Sequence, residues 1–177
     1  NFWLTTHVLC ITIGYGVCLL ASGLAHIALT AKAFNPDNNI LWLTLQKTIH
    51  RTTLVALLFT CIGTILGGIW ADQSWGRFWG WEPQANGALL IVLWLIWVQH
   101  GRLSAHINPI WFTILTANLS IIVALAWFGV NLLSVGLHSY GFTSGLATGL
   151  TAFCLAELLF SSLLYIRIKM KEPKPCA

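Results

Sequence analysis

The chain has 177 residues, of which 57% are hydrophobic and 8% charged, with a formal net charge of +4. A soluble domain carries roughly a quarter charged residues, so this composition excludes one and points to a compact bundle of membrane-spanning helices. The five cysteines include no C-x-x-C pair, which excludes a thiol redox motif and a zinc knuckle. Asn1 stands beside an apolar run with no basic n-region, unlike the start of a signal peptide. The expectation is that further sequence precedes it in the intact protein.

Five apolar runs, at about 5–33, 44–70, 86–101, 109–129 and 145–167, are long enough to cross roughly 30 Å of hydrocarbon as helices. The first exceeds that need and is expected to tilt or to project. Asn35-Pro36-Asp37-Asn38-Asn39 breaks the chain after it. Trp75 to Asn86, reading W-G-R-F-W-G-W-E-P-Q-A-N, connects the second and third runs. His106-Ile107-Asn108-Pro109 separates the third from the fourth. Asn118 and Asn131 are expected to hydrogen-bond between helices. Glu157, inside the fifth run, must be protonated, paired or turned to a wet cavity. The fold class is all-α: a polytopic membrane helix bundle of about five transmembrane helices with a Trp-rich external loop. Residues 1–177 are expected to form a single domain.

Charge sets the direction. Of the nine Lys and Arg residues, all but Arg77 sit at connectors or ends on one side, namely Lys32, Lys47, Arg51, Arg102, Arg167, Lys169, Lys171 and Lys174. Basic residues favour the cytoplasmic side. The Trp-rich loop, the Asn1 end and the 130–144 connector then face outward. This placement accounts for the positive charge, with the lipid bilayer and no nucleic acid as its partner.

Three chemically unusual elements then share the outer side: His7, the 75–86 loop, and Gly136-Leu137-His138-Ser139-Tyr140-Gly141-Phe142. Tryptophan rings prefer the membrane interface, and they also stack on planar ligands, which intervening glycines allow to approach closely. His7 and His138 at one level, flanking an aromatic platform, suit the two axial positions of haem iron; alternatively each ring only makes an interfacial hydrogen bond. His100, at the inner end of the third run, is either a ligand of a second haem or a snorkelling interfacial residue. His26 could partner it or simply pack. His50 adjoins Arg51 and Lys47, where a boundary role fits, and His106 is expected to be solvated.

On these motifs the chain resembles the WWD-domain haem-handling family of cytochrome c biogenesis, in its CcsA branch of the system II synthase. The resemblance rests on Asn1-Phe2-Trp3 with Thr6-His7-Val8, Gly63 through Asp72, Trp75 through Trp81, Asn86-Gly87-Ala88-Leu89-Leu90, Trp127 through Asn131, and Gly136 through Gly141. It implies haem b (iron protoporphyrin IX), held non-covalently. His7 and His138 would be its external ligands and Trp75, Trp79 and Trp81 its walls, with Arg77 in the same cofactor-binding set. His100 would be the ligand of an inner site.

The resemblance further implies partners. These are apocytochrome c, whose C-x-x-C-H thiols receive the haem, and a CcsB/ResB-like membrane partner or fused upstream region. Residence would be the bacterial inner membrane with the loop periplasmic, or a plastid thylakoid with it lumenal. Enzymatic haem ligation is one reading of this resemblance. A haem-binding or structural subunit of a respiratory membrane complex is a second, and a haem exporter a third. The family's W-D-P-K-E-N becomes Trp81-Glu82-Pro83-Gln84-Ala85-Asn86 here, which loses two charges beside the site.

Overall fold

A computed structural model describes residues 1–133 and 145–171, and the described chain is all helix and connectors. Helix α1 spans Phe2–Phe34, with the Asn1 side chain accepting from the Trp3 amide as N-cap. Helix α2, Asn39–Trp75, starts on Asn38 in the same way and stops at Gly76, whose φ of 69° supplies the left-handed cap. Helix α3, Pro83–Leu103, begins on proline, whose missing N–H costs nothing in a first turn. Asn108 caps α4, Pro109–Ala117. Helices α5, Leu119–Leu133, and α6, Leu146–Lys171, complete the bundle.

Among the described residues four helices are long and apolar enough to cross a membrane: α1, α2, α4 with α5 taken as one unit (Pro109–Gly129), and α6. Helix α3 has 21 residues. Pro83, Gln84 and Asn86 at one end, and Gln99, His100 and Arg102 at the other, shorten its apolar stretch. At 33 and 37 residues, α1 and α2 outrun the bilayer, being about 50 and 55 Å long against a core of about 30 Å.

The expected fourth span is interrupted at Asn118. Backbone irregularity at membrane depth needs its polar groups satisfied within the protein. The Ala117 carbonyl accepts from Ser22 Oγ at 2.5 Å and from Ser120 Oγ at 3.0 Å. Asn118 Nδ2 reaches Ser161 Oγ at 3.3 Å, so this asparagine does bridge helices. The side chain of Asn131 lies outside the described residues.

Helices α1 and α2 cross closely because two glycines remove side chains from the contact. A Cβ on Gly14 would stand 2.8 Å from the Thr60 amide nitrogen, and one on Gly63 would stand 2.8 Å from that of Ile11. One buried apolar cluster gathers around Ala25, Leu29, Ile49 and Phe112, and a second around Tyr15, Ala56, Leu95 and Val123.

Glu157 is paired. Its Oε2 lies 2.7 Å from His26 Nε2, while His26 Nδ1 donates to the Ser22 carbonyl at 2.7 Å. One proton sits between imidazole and carboxyl, and the pair joins α6 to α1. Helix α6 buries little else, chiefly Leu150, Ser161, Leu164 and Ile168. Glu157→Ala is therefore expected to destabilise the protein by about 1–3 kcal/mol. Glu157→Gln keeps a donor for the ring and should stay near wild type. Thermal unfolding in detergent distinguishes the two, and equal midpoints for all three proteins would deny the pair a stabilising role.

Candidate functional site

At the end of the bundle that carries Asn1 and the Trp-rich loop, α1, α2, the 76–82 loop and the start of α3 enclose a cavity of about 400 Å³. This lies within the range of roughly 300–1,000 Å³ typical of cofactor sites. His7 lies in its wall, two turns into α1. His7 Nδ1 is 2.7 Å from the Gly63 carbonyl oxygen. A carbonyl can only accept, so Nδ1 carries the hydrogen and Nε2 of the neutral ring presents its lone pair. Among the described residues nothing bonds Nε2.

The ring plane is fixed from two further directions. Trp70 stacks on His7 with centroids 6.5 Å apart and planes within 7°. Gly67 lies under the ring, where an added Cβ would come within 2.7 Å of His7 Cε1. Trp75 packs edge-on to Trp70 at 4.6 Å. Phe78 folds back onto Gly68, whose missing side chain leaves room for the ring.

The sequence-derived candidates are placed as follows. His7, Trp75, Arg77 and Trp79 all line the cavity. Trp81 stands at the mouth, 72% exposed, with its ring edge-on to Trp79 at 6.1 Å. Its backbone has a φ of 55°, and its carbonyl accepts from Asn86 Nδ2 at 2.9 Å. Arg77 reaches Glu82 at 3.8 Å, a loose ion pair with the guanidinium mostly in solvent. His100 belongs to the opposite end, about 24 Å along α3 from Gln84. It is exposed there, its Nδ1 donating to the Ile96 carbonyl at 2.9 Å. His138 and the stretch Gly136–Phe142 lie outside the described residues.

Among the cavity residues that carried no site role in the sequence reading are Tyr15, Gly67 and Trp70. Helical spacing contained the signal. His7, Ile11 and Tyr15 recur every four residues on one face of α1, and Gly63, Gly67 and Trp70 fall four and then three apart on one face of α2. Two polar atoms in the cavity wall, Tyr15 Oη and Trp79 Nε1, are buried without a hydrogen-bond partner among the described residues. No group of three or more metal-ligating side chains occurs among the described residues.

The sequence was compared with known proteins. The profile of the family described as Cytochrome C assembly protein matches residues 1–138. Protein NrfI of Wolinella succinogenes is 34% identical over 151 residues, covering 79% of this chain and 16% of that protein. The cytochrome c biogenesis protein CcsA of a Synechococcus species is 36% identical over 99 residues, covering 55% of this chain and 32% of the relative. CcsA of Welwitschia mirabilis is 31% identical over 176 residues, covering 80% of this chain and 56% of the relative. The chain thus spans from about a sixth to just over half the length of these relatives. A match running from Asn1 across the cavity-forming helices and loop places this chain in the cytochrome c assembly protein family.

Proposed function

We propose that this chain is the haem-handling membrane domain of a cytochrome c maturation protein, holding haem b at its outer cavity for attachment to apocytochrome c. The observation that carries the reading is His7, fixed by Gly63, Gly67 and Trp70 in the wall of an aromatic-lined cavity, with nothing bonded to its Nε2 among the described residues. The residues present fit a porphyrin. Imidazole nitrogen is a haem-iron ligand. Trp70, Trp75, Phe78 and Trp79 supply apolar surface, and Arg77, Tyr15 and Trp79 supply hydrogen-bond donors.

Bound haem would supply two vinyl groups, to which the thiols of a C-x-x-C-H segment add as thioethers. The chain's own part is positioning, which lowers the barrier by fixing reactants in place. The Gly63 carbonyl holds the His7 tautomer. Trp70 and Gly67 hold the ring plane. The 76–82 loop covers the cavity from water and leaves an aromatic rim for the incoming segment.

His138 would be the second residue to hold the haem. His100, at the other end of the bundle, is the proposed ligand of an inner site, completed by a CcsB/ResB-like partner or upstream region. Lys32, Arg102 and Arg167 at the His100 end support a cytoplasmic assignment for it. The loop would then be periplasmic in a bacterial inner membrane or lumenal in a thylakoid. Relatives called cytochrome c biogenesis protein CcsA support the maturation role.

A reduced-minus-oxidised spectrum of the purified protein tests this directly. A low-spin haem b spectrum is expected in the wild type, and its loss in His7→Ala. Protein that neither carries haem nor takes up added haem would overturn the reading. Haem binding together with normal c-type cytochromes in a deletion strain would instead identify a haem-binding subunit. The uncharged Gln84 and Ala85 beside the cavity favour including that second readout.

A further inference from the structure

We propose that the inner floor of the cavity is a carboxyl-binding subsite, with the Tyr15 hydroxyl as its deep donor and the Trp79 indole N–H as a second donor on the loop wall. On the haem-binding reading, on which this rests, the subsite takes a propionate of the porphyrin and so sets which edge of the ring points inward.

Tyr15 is the deepest α1 residue of the cavity, eight residues beyond His7 and about 12 Å further along the helix. It is only 3% exposed, and its hydroxyl is buried with nothing to bond among the described residues. Its ring is held from behind by Trp127 on α5, edge-on at 5.8 Å. Trp79 Nε1 is buried and unpartnered in the same cavity. By contrast the hydroxyl of Thr64, which lines the same cavity from α2, already donates to the Thr60 carbonyl at 2.7 Å.

Buried donors left without acceptors are costly, and native proteins rarely keep them. An indole N–H can only donate, so what satisfies Trp79 is an acceptor. Arg77, lining the same cavity, is a third donor, its charge loosely paired with Glu82 in the same lining. A donor-rich, aromatic-walled cavity suits a flat ligand with carboxyl groups on one edge. Protoporphyrin has that form: two propionates on one edge, and vinyl groups on the rest of its rim. With a propionate at the floor, the vinyl-bearing rim turns toward the mouth, where Trp75 and Trp81 are exposed.

The test compares two iron porphyrins, protoporphyrin IX and octaethylporphyrin, the second having no carboxyl group. Each is titrated into purified wild-type protein, Tyr15→Phe, Trp79→Phe and His7→Ala. Tyr15→Phe, which removes one oxygen atom, is expected to weaken iron protoporphyrin binding by about 3–10-fold, the worth of a hydrogen bond, and to leave iron octaethylporphyrin unchanged. Trp79→Phe should follow the same selectivity. Equal losses for both porphyrins, or no loss for either, would overturn the subsite and leave the hydroxyl a packing group or the partner of a bound water. His7→Ala answers separately for the underlying reading. If it binds both porphyrins like the wild type, haem ligation by His7 fails whatever Tyr15 does.

Discussion

Gly63→Ala is expected to destabilise the protein by about 1–3 kcal/mol, the usual cost of forcing a methyl group into a filled contact. The new Cβ would sit 2.8 Å from Ile11 N, 2.9 Å from its Cα and 3.0 Å from its Cβ. All three belong to the backbone or its first side-chain atom, so no rotamer change relieves the clash and α1 must move off α2. Gly14→Ala meets Thr60 in the same way and should cost a similar amount. The double variant should lose less than the sum, because one displacement of the crossing relieves both contacts. Gly16, in the same helix with open space at its Cβ position, is the control. Gly16→Ala should be neutral or gain a few tenths of a kcal/mol to about 1 kcal/mol from propensity. Thermal unfolding in detergent reads all four, and a Gly63→Ala midpoint equal to that of Gly16→Ala would refute the close crossing.

Gly67→Ala is the second large effect, and on the proposed haem-binding role it acts on cofactor affinity more than on the fold. Its Cβ would stand 2.7 Å from His7 Cε1 and 2.8 Å from Nδ1. The imidazole must turn or shift, and either movement weakens the 2.7 Å bond to the Gly63 carbonyl. Groups that orient a metal-bound histidine typically contribute 10- to 100-fold in metal affinity. Haem affinity is therefore expected to fall by about that factor although His7 itself is intact. Gly149→Ala, with nothing near its Cβ position, should leave haem affinity unchanged. Wild-type haem affinity in Gly67→Ala would mean that ring orientation is not what holds the iron.

Much of this arrangement was legible in the residues. The breaks expected at 35–39 and 106–109 fall between helices, and there Asn38 and Asn108 accept from backbone amides as N-caps. The apolar runs located the helices to within a few residues, because helices in lipid must satisfy their backbone internally. Partners across the bundle were not legible. Glu157 announced itself as a carboxyl needing an explanation, yet only the packing of α6 against α1 shows that His26 provides it. The break at Asn118 was hidden because no glycine or proline marks it, and the Ser22 hydroxyl that satisfies it comes from another helix. At the cavity, composition singled out the tryptophans of the loop. The tryptophan that stacks on His7 is Trp70, inside α2, and Trp81 stands outside the walls at the mouth. Loop composition says which rings are available, while helix register decides which of them meet the imidazole.

The backbone at Trp81 has a consequence for how the rim behaves. A bulky residue with φ of 55° sits where glycine or asparagine is usual, at a cost of roughly 1–2 kcal/mol. Its carbonyl is tethered by the Asn86 side chain from the first turn of α3. The first turn of α3 thus holds residue 81 in this left-handed backbone, and the position of the Trp81 indole beside Trp79 depends on where that turn is seated.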